Sequence, residues 1–107
     1  MSGQVRIMRF REWARPVAPV AREVRSALPE VTEHLPPVLF VPGFGDGASV
    51  FAEHWLGHTA ERGFPAYAMS LRGHGGSGAA RRATLRAYTH DVVQVAAALP
   101  RRAVLVG

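Results

Sequence analysis

The stretch Pro37-Val38-Leu39-Phe40-Val41-Pro42-Gly43-Phe44-Gly45-Asp46-Gly47-Ala48-Ser49 decides the fold. Val38–Val41 is apolar at every position and bounded by proline on both sides, so it reads as a short strand buried on both faces. A glycine loop follows it. Residues 49–62 then place Val50, Phe51, Trp55 and Leu56 on one side of a helix, with Gly63 as its stop. Working outward, Ala66–Leu71 reads as a second strand and Arg72-Gly73-His74-Gly75-Gly76-Ser77-Gly78 as a second glycine loop. Thr84 to Leu99 carries Leu85, Tyr88, Val92, Val95 and Ala96 or Leu99 on the inward face of a second helix, which Pro100 ends. Ala103–Val106 is a third strand, followed by Gly107.

The order strand, helix, strand, helix, strand predicts an α/β fold: a partial, mostly parallel sheet with crossover helices. Parallel strands present ligands at their carboxyl ends. The glycine features at 43–47, 73–78 and 107 all follow such an end, so they are expected on one face of the sheet. Residues 1–36 differ in texture, being rich in Arg and Pro, and are set apart as an N-terminal extension to a domain over 37–107. Within the extension, Val5, Ile7 and Met8 to Phe10 fit a short strand. Val17, Val20, Val24 and Leu28 recur at roughly helical spacing, which predicts an amphipathic helix starting at Pro16.

Hydrophobic residues make up 48% of the 107, enough to bury a core. There is no cysteine, hence no disulfide and no thiolate metal site. No apolar run approaches the roughly 20 residues of a membrane span. The opening residues, MSGQVRIMRFREW, lack the apolar block of a secretory signal, and a cytoplasmic protein is expected. The net charge is +5, and all 13 basic residues are Arg. They are scattered rather than clustered, so the charge argues for no specific nucleic-acid partner.

From residue 37 on, the chain resembles the α/β-hydrolase fold family. Pro42-Gly43-Phe44-Gly45 after a strand is similar to that family's HG-x loop. Leu71-Arg72-Gly73-His74-Gly75-Gly76-Ser77 is similar to its D-x-R-G-x-G-x-S stretch. Val104-Leu105-Val106-Gly107 is similar to the strand entering G-x-S-x-G, with Gly107 as the first glycine of the nucleophile elbow. The resemblance implies an esterase- or lipase-like hydrolase acting on a small ester-like substrate without cofactor or metal. It implies that the Phe44 backbone N–H is an oxyanion-hole donor, with Gly43 shaping the loop for close approach. Two positions depart from the pattern: Pro42 replaces the usual His, and Ser70 stands where Asp is common.

In this fold the triad runs nucleophile, acid, His along the chain. The nucleophile is therefore expected two residues past Gly107, with acid and base further on, and the chain reads as a truncated N-terminal portion with no catalytic residue of its own. Ser77 has Gly75 two before it but Ala79 two after, so G-x-S-x-G fails there. Arg72 is expected to tie down backbone, and His74 and Asp91 to be structural. Asp46 either borders the pocket or bonds the turn. His54 and His58 lie four apart without a third ligand, which makes a surface pair rather than a metal site. His34 and His90 have no evident partners.

Two other readings stand beside this one. Gly43, Gly45 and Ala48 satisfy G-x-G-x-x-G/A, and Ser70 and Arg72 would then serve a 2′-phosphate, making an NADP-type dinucleotide-binding unit. A noncatalytic remnant is the other. The last strand, expected to be central in a complete sheet, predicts an open edge and self-association of the chain as it stands.

Overall fold

The computed structural model describes residues 17–30, 34–43, 45–79 and 83–107. The expected strand within residues 5–10 lies outside them. The elements are β1 (Val24–Ala27), β2 (Val38–Phe40), α1 (Ser49–Ala52), α2 (Trp55–Glu61), β3 (Ala66–Met69), α3 (Leu85–Ala98) and β4 (Val104–Val106). The four strands form one sheet in the order β1-β3-β2-β4. β2 runs parallel to both β3 and β4, and β1 pairs antiparallel with β3.

Side chains alternate across a strand, and here both faces are covered. On one face Phe40, Ala66 and Ala68 meet Ala48 and Leu56, with Val38 and Phe51 packed against them. The Phe40 and Phe51 rings stack at 5.0 Å. On the other face Leu39, Met69 and Leu71 meet Val95, joined by Tyr88, Val92 and Leu99 from α3. That is why residues 38–41 are apolar without alternation. The path explains the layering. The connection from β2 reaches β3 on one side, and the connection from β3 returns past β2 to β4 on the other. Crossovers of one hand in opposite directions put their helices on opposite faces.

Three local expectations are corrected. Residues 24–27 form a strand, not part of a helix, because they pair with the edge of β3 from Val24↔Met69 to Ala27↔Ala66. The helical spacing of Val24 and Leu28 was incidental, and both side chains are exposed. Second, the helix expected over 49–62 is broken at Glu53 and His54, with His54 at φ −129°, ψ −56°. The break destroys the common face, so Phe51 and Leu56 pack inward while Val50 and Trp55 are about half exposed. Third, Leu85 is 82% exposed. It is the first residue of α3, and the inward face begins with Ala87 and Tyr88.

The stops and caps follow the expected chemistry. Gly63 takes φ +93°, the left-handed geometry that ends a helix. Thr84 caps α3, its side chain accepting the Ala87 N–H at 3.1 Å. Among the described residues, no helix is long and apolar enough to cross a membrane.

Candidate functional site at the strand ends

β2 and β4 stay in register to their carboxyl ends, where the Val41 N–H donates to the Val106 carbonyl at 2.8 Å. The chain leaving β2 at Pro42 and the chain leaving β4 at Gly107 therefore start side by side. The loop from β2 turns toward β3, and β4 lies on the opposite side of β2. A crevice between diverging connections is where open α/β sheets bind ligands.

The loop from β2 closes a turn in which the Asp46 N–H donates to the Gly43 carbonyl at 3.0 Å. Asp46 thus contributes its amide to the turn, and its side chain is exposed. Gly45 sits at φ +92°, a conformation that costs other residues strain. Gly43 is exposed, and a Cβ there would meet nothing nearer than the Asp46 carboxylate at 3.9 Å. Nothing inside the described chain requires glycine at 43, so its open side faces outward. Phe44 lies outside the described residues. A Cβ on Gly107 would meet nothing within 4 Å.

The second glycine loop closes on the first. A Cβ on Gly47 would come within 2.9 Å of the Gly75 Cα, so the two loops touch backbone to backbone. Gly75 itself takes φ +48°, and a Cβ on it would lie 2.5 Å from the Ser70 hydroxyl. The segment 20–23 is sewn along this loop. The Gly78 N–H donates to the Ala21 carbonyl at 2.7 Å, and the Ser70 N–H to the Glu23 carbonyl at 3.0 Å. Ser77 accepts the Glu23 N–H at 2.8 Å and donates to the Ser70 carbonyl at 2.5 Å. Its hydroxyl is committed to holding strands together.

Arg72 and Asp91 form a buried ion pair, with Asp91 wholly inaccessible and Arg72 3% exposed. Arg72 Nη2 donates to Asp91 Oδ1 at 2.7 Å, Nε reaches Oδ2 at 3.0 Å, and the Arg72 backbone N–H reaches the same Oδ2 at 3.0 Å. Nη1 donates to the Ala18 carbonyl at 3.1 Å, and Arg22 approaches Asp91 to 3.4 Å. Burial works to raise the Asp91 carboxyl. The Arg72 hydrogen bonds and the charges of Arg72 and Arg22 outweigh it and hold the group below its ordinary value. The pair locks α3, the second loop and the N-terminal segment together, a structural role for both residues.

Glu23 is the residue that sequence reasoning missed. Its Oε1 accepts from the Ser70 hydroxyl at 2.7 Å and from the Gly76 N–H at 2.9 Å, while Arg25 Nε donates to Oε2 at 3.1 Å. Those bonds, Ser70 first, lower its carboxyl to about 2. Ser70, fully buried, in turn accepts the Ala48 N–H at 2.8 Å. The partners lie 47 and 53 residues from Glu23, so no spacing pattern flags it.

The remaining histidines are peripheral to this arrangement. His74 Nδ1 lies 3.0 Å from the Arg72 carbonyl, and its ring meets the Tyr88 ring edge-on. His54 and His58 stack at 5.7 Å on the exposed side of α2. Among the described residues, no three His, Asp or Glu side chains are grouped to hold a metal. His34 Nδ1 faces Arg101 at 3.0 Å. The dinucleotide reading loses its anchor points: Ser70 and Arg72 are buried with their polar atoms engaged, and α1 is only four residues long.

The alpha/beta hydrolase family model matches residues 38–107, well over half of the chain, and the chain belongs to that family. The crystal structure of a hypothetical protein from Pseudomonas aeruginosa is similar in fold, with a TM-score of 0.54 at 22% identity. The match covers 100% of this chain and 40% of that one, so this chain spans less than half the length of its structural relative. No curated protein matches it closely enough to count as a relative.

Proposed function

We propose that this chain is the N-terminal portion of an esterase- or lipase-like hydrolase that cleaves a small ester or related bond through a nucleophile–acid–His triad lying beyond Gly107. The observation that carries this reading is the bond between Val41 and Val106, which starts the Gly43–Ala48 loop and Gly107 side by side at the carboxyl ends of adjacent parallel strands. An acyl-transfer site needs two donors flanking one oxygen. In this fold they come from the loop after one strand and from the residue after the nucleophile on its neighbour.

In this reading the Phe44 backbone N–H is the first donor. Gly43 would let a substrate approach closely, since it has no Cβ and no neighbour among the described residues nearer than 3.9 Å to where one would be. Gly107 begins the elbow, and the nucleophile stands two residues on. The reaction needs no cofactor or metal, only a small ester-like substrate. The hydroxyls of Ser70 and Ser77 are engaged in structural bonds, which fits a nucleophile outside residues 1–107. The 107-residue chain by itself is then expected to turn over no p-nitrophenyl ester above background.

The test uses the complete protein and p-nitrophenyl butyrate. Phe44→Pro removes the donor and should lower kcat by about 100- to 1,000-fold. Phe44→Ala keeps the N–H and should act mainly on KM. Equal losses in two folded variants would refute the backbone-donor assignment.

A further inference from the structure

The Ser70 hydroxyl carries one proton and gives it to Glu23 Oε1 at 2.7 Å. Its lone pairs are thereby turned to the Ala48 N–H at 2.8 Å. The direction of the relay is set by charge: an ionised carboxylate only accepts, so Ser70 must donate to it and accept from Ala48. The second acceptor position on the same oxygen takes the Gly76 N–H at 2.9 Å. One carboxylate atom therefore reaches the end of the first glycine loop through Ser70 and the second glycine loop directly. The site has no slack. A Cβ on Gly75 would lie 2.9 Å from Glu23 Oε1, and one on Gly76 would lie 2.9 Å from Glu23 Cδ. The carboxylate comes from the segment entering β1, and Ser70 lies just past β3. The Ala48 amide itself follows directly on the 43–47 loop.

We propose that Glu23 is a positioning residue, whose carboxylate, acting through Ser70 on the Ala48 amide and directly on the Gly76 amide, holds the Gly43–Ala48 loop in the shape its oxyanion donor requires. The proposal rests on the hydrolase reading for its catalytic consequence, but the holding of the loop has its own readout. A fixed loop costs no reorganisation when charge develops on the substrate, whereas a loose one must be ordered during the reaction. The loss should therefore appear in kcat and leave KM nearly unchanged.

The experiment compares wild type, Glu23→Gln, Glu23→Ala, Ser70→Ala and the Glu23→Ala/Ser70→Ala double variant in the complete protein. Glu23→Gln keeps an oxygen that takes the Oε1 position and accepts from both Ser70 and Gly76, so it should stay within about threefold of wild type in kcat and in Ala48 amide exchange. Glu23→Ala removes that acceptor, so Ser70 no longer has to face Ala48. We expect kcat to fall about 10- to 100-fold with KM changed by less than about threefold. Amide exchange at Ala48 should accelerate at least about tenfold, in excess of any change in global unfolding. Ser70→Ala cuts the relay at its middle and should accelerate Ala48 exchange as much. Because Glu23 reaches Ala48 through Ser70, the double variant should exchange at Ala48 within about threefold of Ser70→Ala alone. A general loss of packing would instead add the two effects. Should Glu23→Ala fail to fold, Ser70→Ala, which leaves the Gly76 bond in place, still decides whether the relay holds Ala48. Unchanged Ala48 exchange in Glu23→Ala or in Ser70→Ala, or additive effects in the double variant, overturns the proposal. A wild-type protein without ester hydrolysis would refute the hydrolase reading separately, and Ala48 exchange would still decide whether Glu23 holds the loop.

Discussion

Asp91→Ala should be among the most damaging single substitutions in this chain, and its cost follows from what it leaves behind. Asp91 is fully buried and accepts from Arg72 Nη2, Nε and the Arg72 backbone N–H. Without it, the Arg72 guanidinium, 3% exposed, is left with the Ala18 carbonyl as its acceptor among the described residues. Removing one member of a buried pair typically costs about 3–5 kcal/mol, and an orphaned buried N–H about 1–3 kcal/mol. The two overlap, and about 4 kcal/mol is a fair total. At a urea slope of about 2–3 kcal/mol/M that is a midpoint lower by about 1.3–2 M. Urea unfolding of the complete protein at pH 7, followed by circular dichroism, measures it. The apolar double variant Arg72→Met/Asp91→Leu should recover only part of the loss, because the Arg72 N–H still lacks its acceptor. The pH dependence has a definite sign. A carboxyl held below its ordinary value of 3.8 contributes fully above that pH and loses its contribution as pH falls through the depressed value. The gap between wild type and Asp91→Asn should therefore be widest near neutrality and shrink below about pH 4. A stability loss of less than about 1 kcal/mol in Asp91→Ala would refute the account of the pair.

Other outcomes follow from the loops and the sheet edge. Gly75→Ala should cost about 2–4 kcal/mol, since it adds a clash with Ser70 to backbone strain, whereas Gly45→Ala, with nothing within 4 Å, should cost only about 1–2 kcal/mol of strain. Equal costs in thermal melts would show that the close approach at Gly75 is unimportant. β4 carries three exposed apolar side chains, Val104, Leu105 and Val106, so the 107-residue chain should elute from a sizing column above its 11.6 kDa mass. Leu105→Lys should shift it toward the monomer, and a wild-type monomer with a cooperative melt would contradict the prediction.

The elements that were legible in the sequence are those whose own pattern records their burial. Residues 38–41 are apolar throughout because Val38 and Phe40 face one helical layer and Leu39 and Val41 the other. α3 shows its periodicity because a single stripe, from Tyr88 to Leu99, meets the sheet. β1 was illegible for the converse reason. Val24, Arg25 and Ser26 are exposed, so its strand state comes from backbone pairing with β3 and leaves no mark on the side chains. The break at His54 has no Gly or Pro to announce it. At the site, the glycines of both loops could be read from their neighbours along the chain. The Glu23–Ser70–Ala48 relay could not, because it joins three segments brought together only by the sheet.

The central claim is that the reacting centre begins at Gly107. Its most direct test is to trap the complete protein during turnover of an activated ester and map the modified peptide. The account predicts an adduct on the second residue after Gly107. An adduct on Ser49, Ser70 or Ser77, or on any other residue among the first 107, would contradict it.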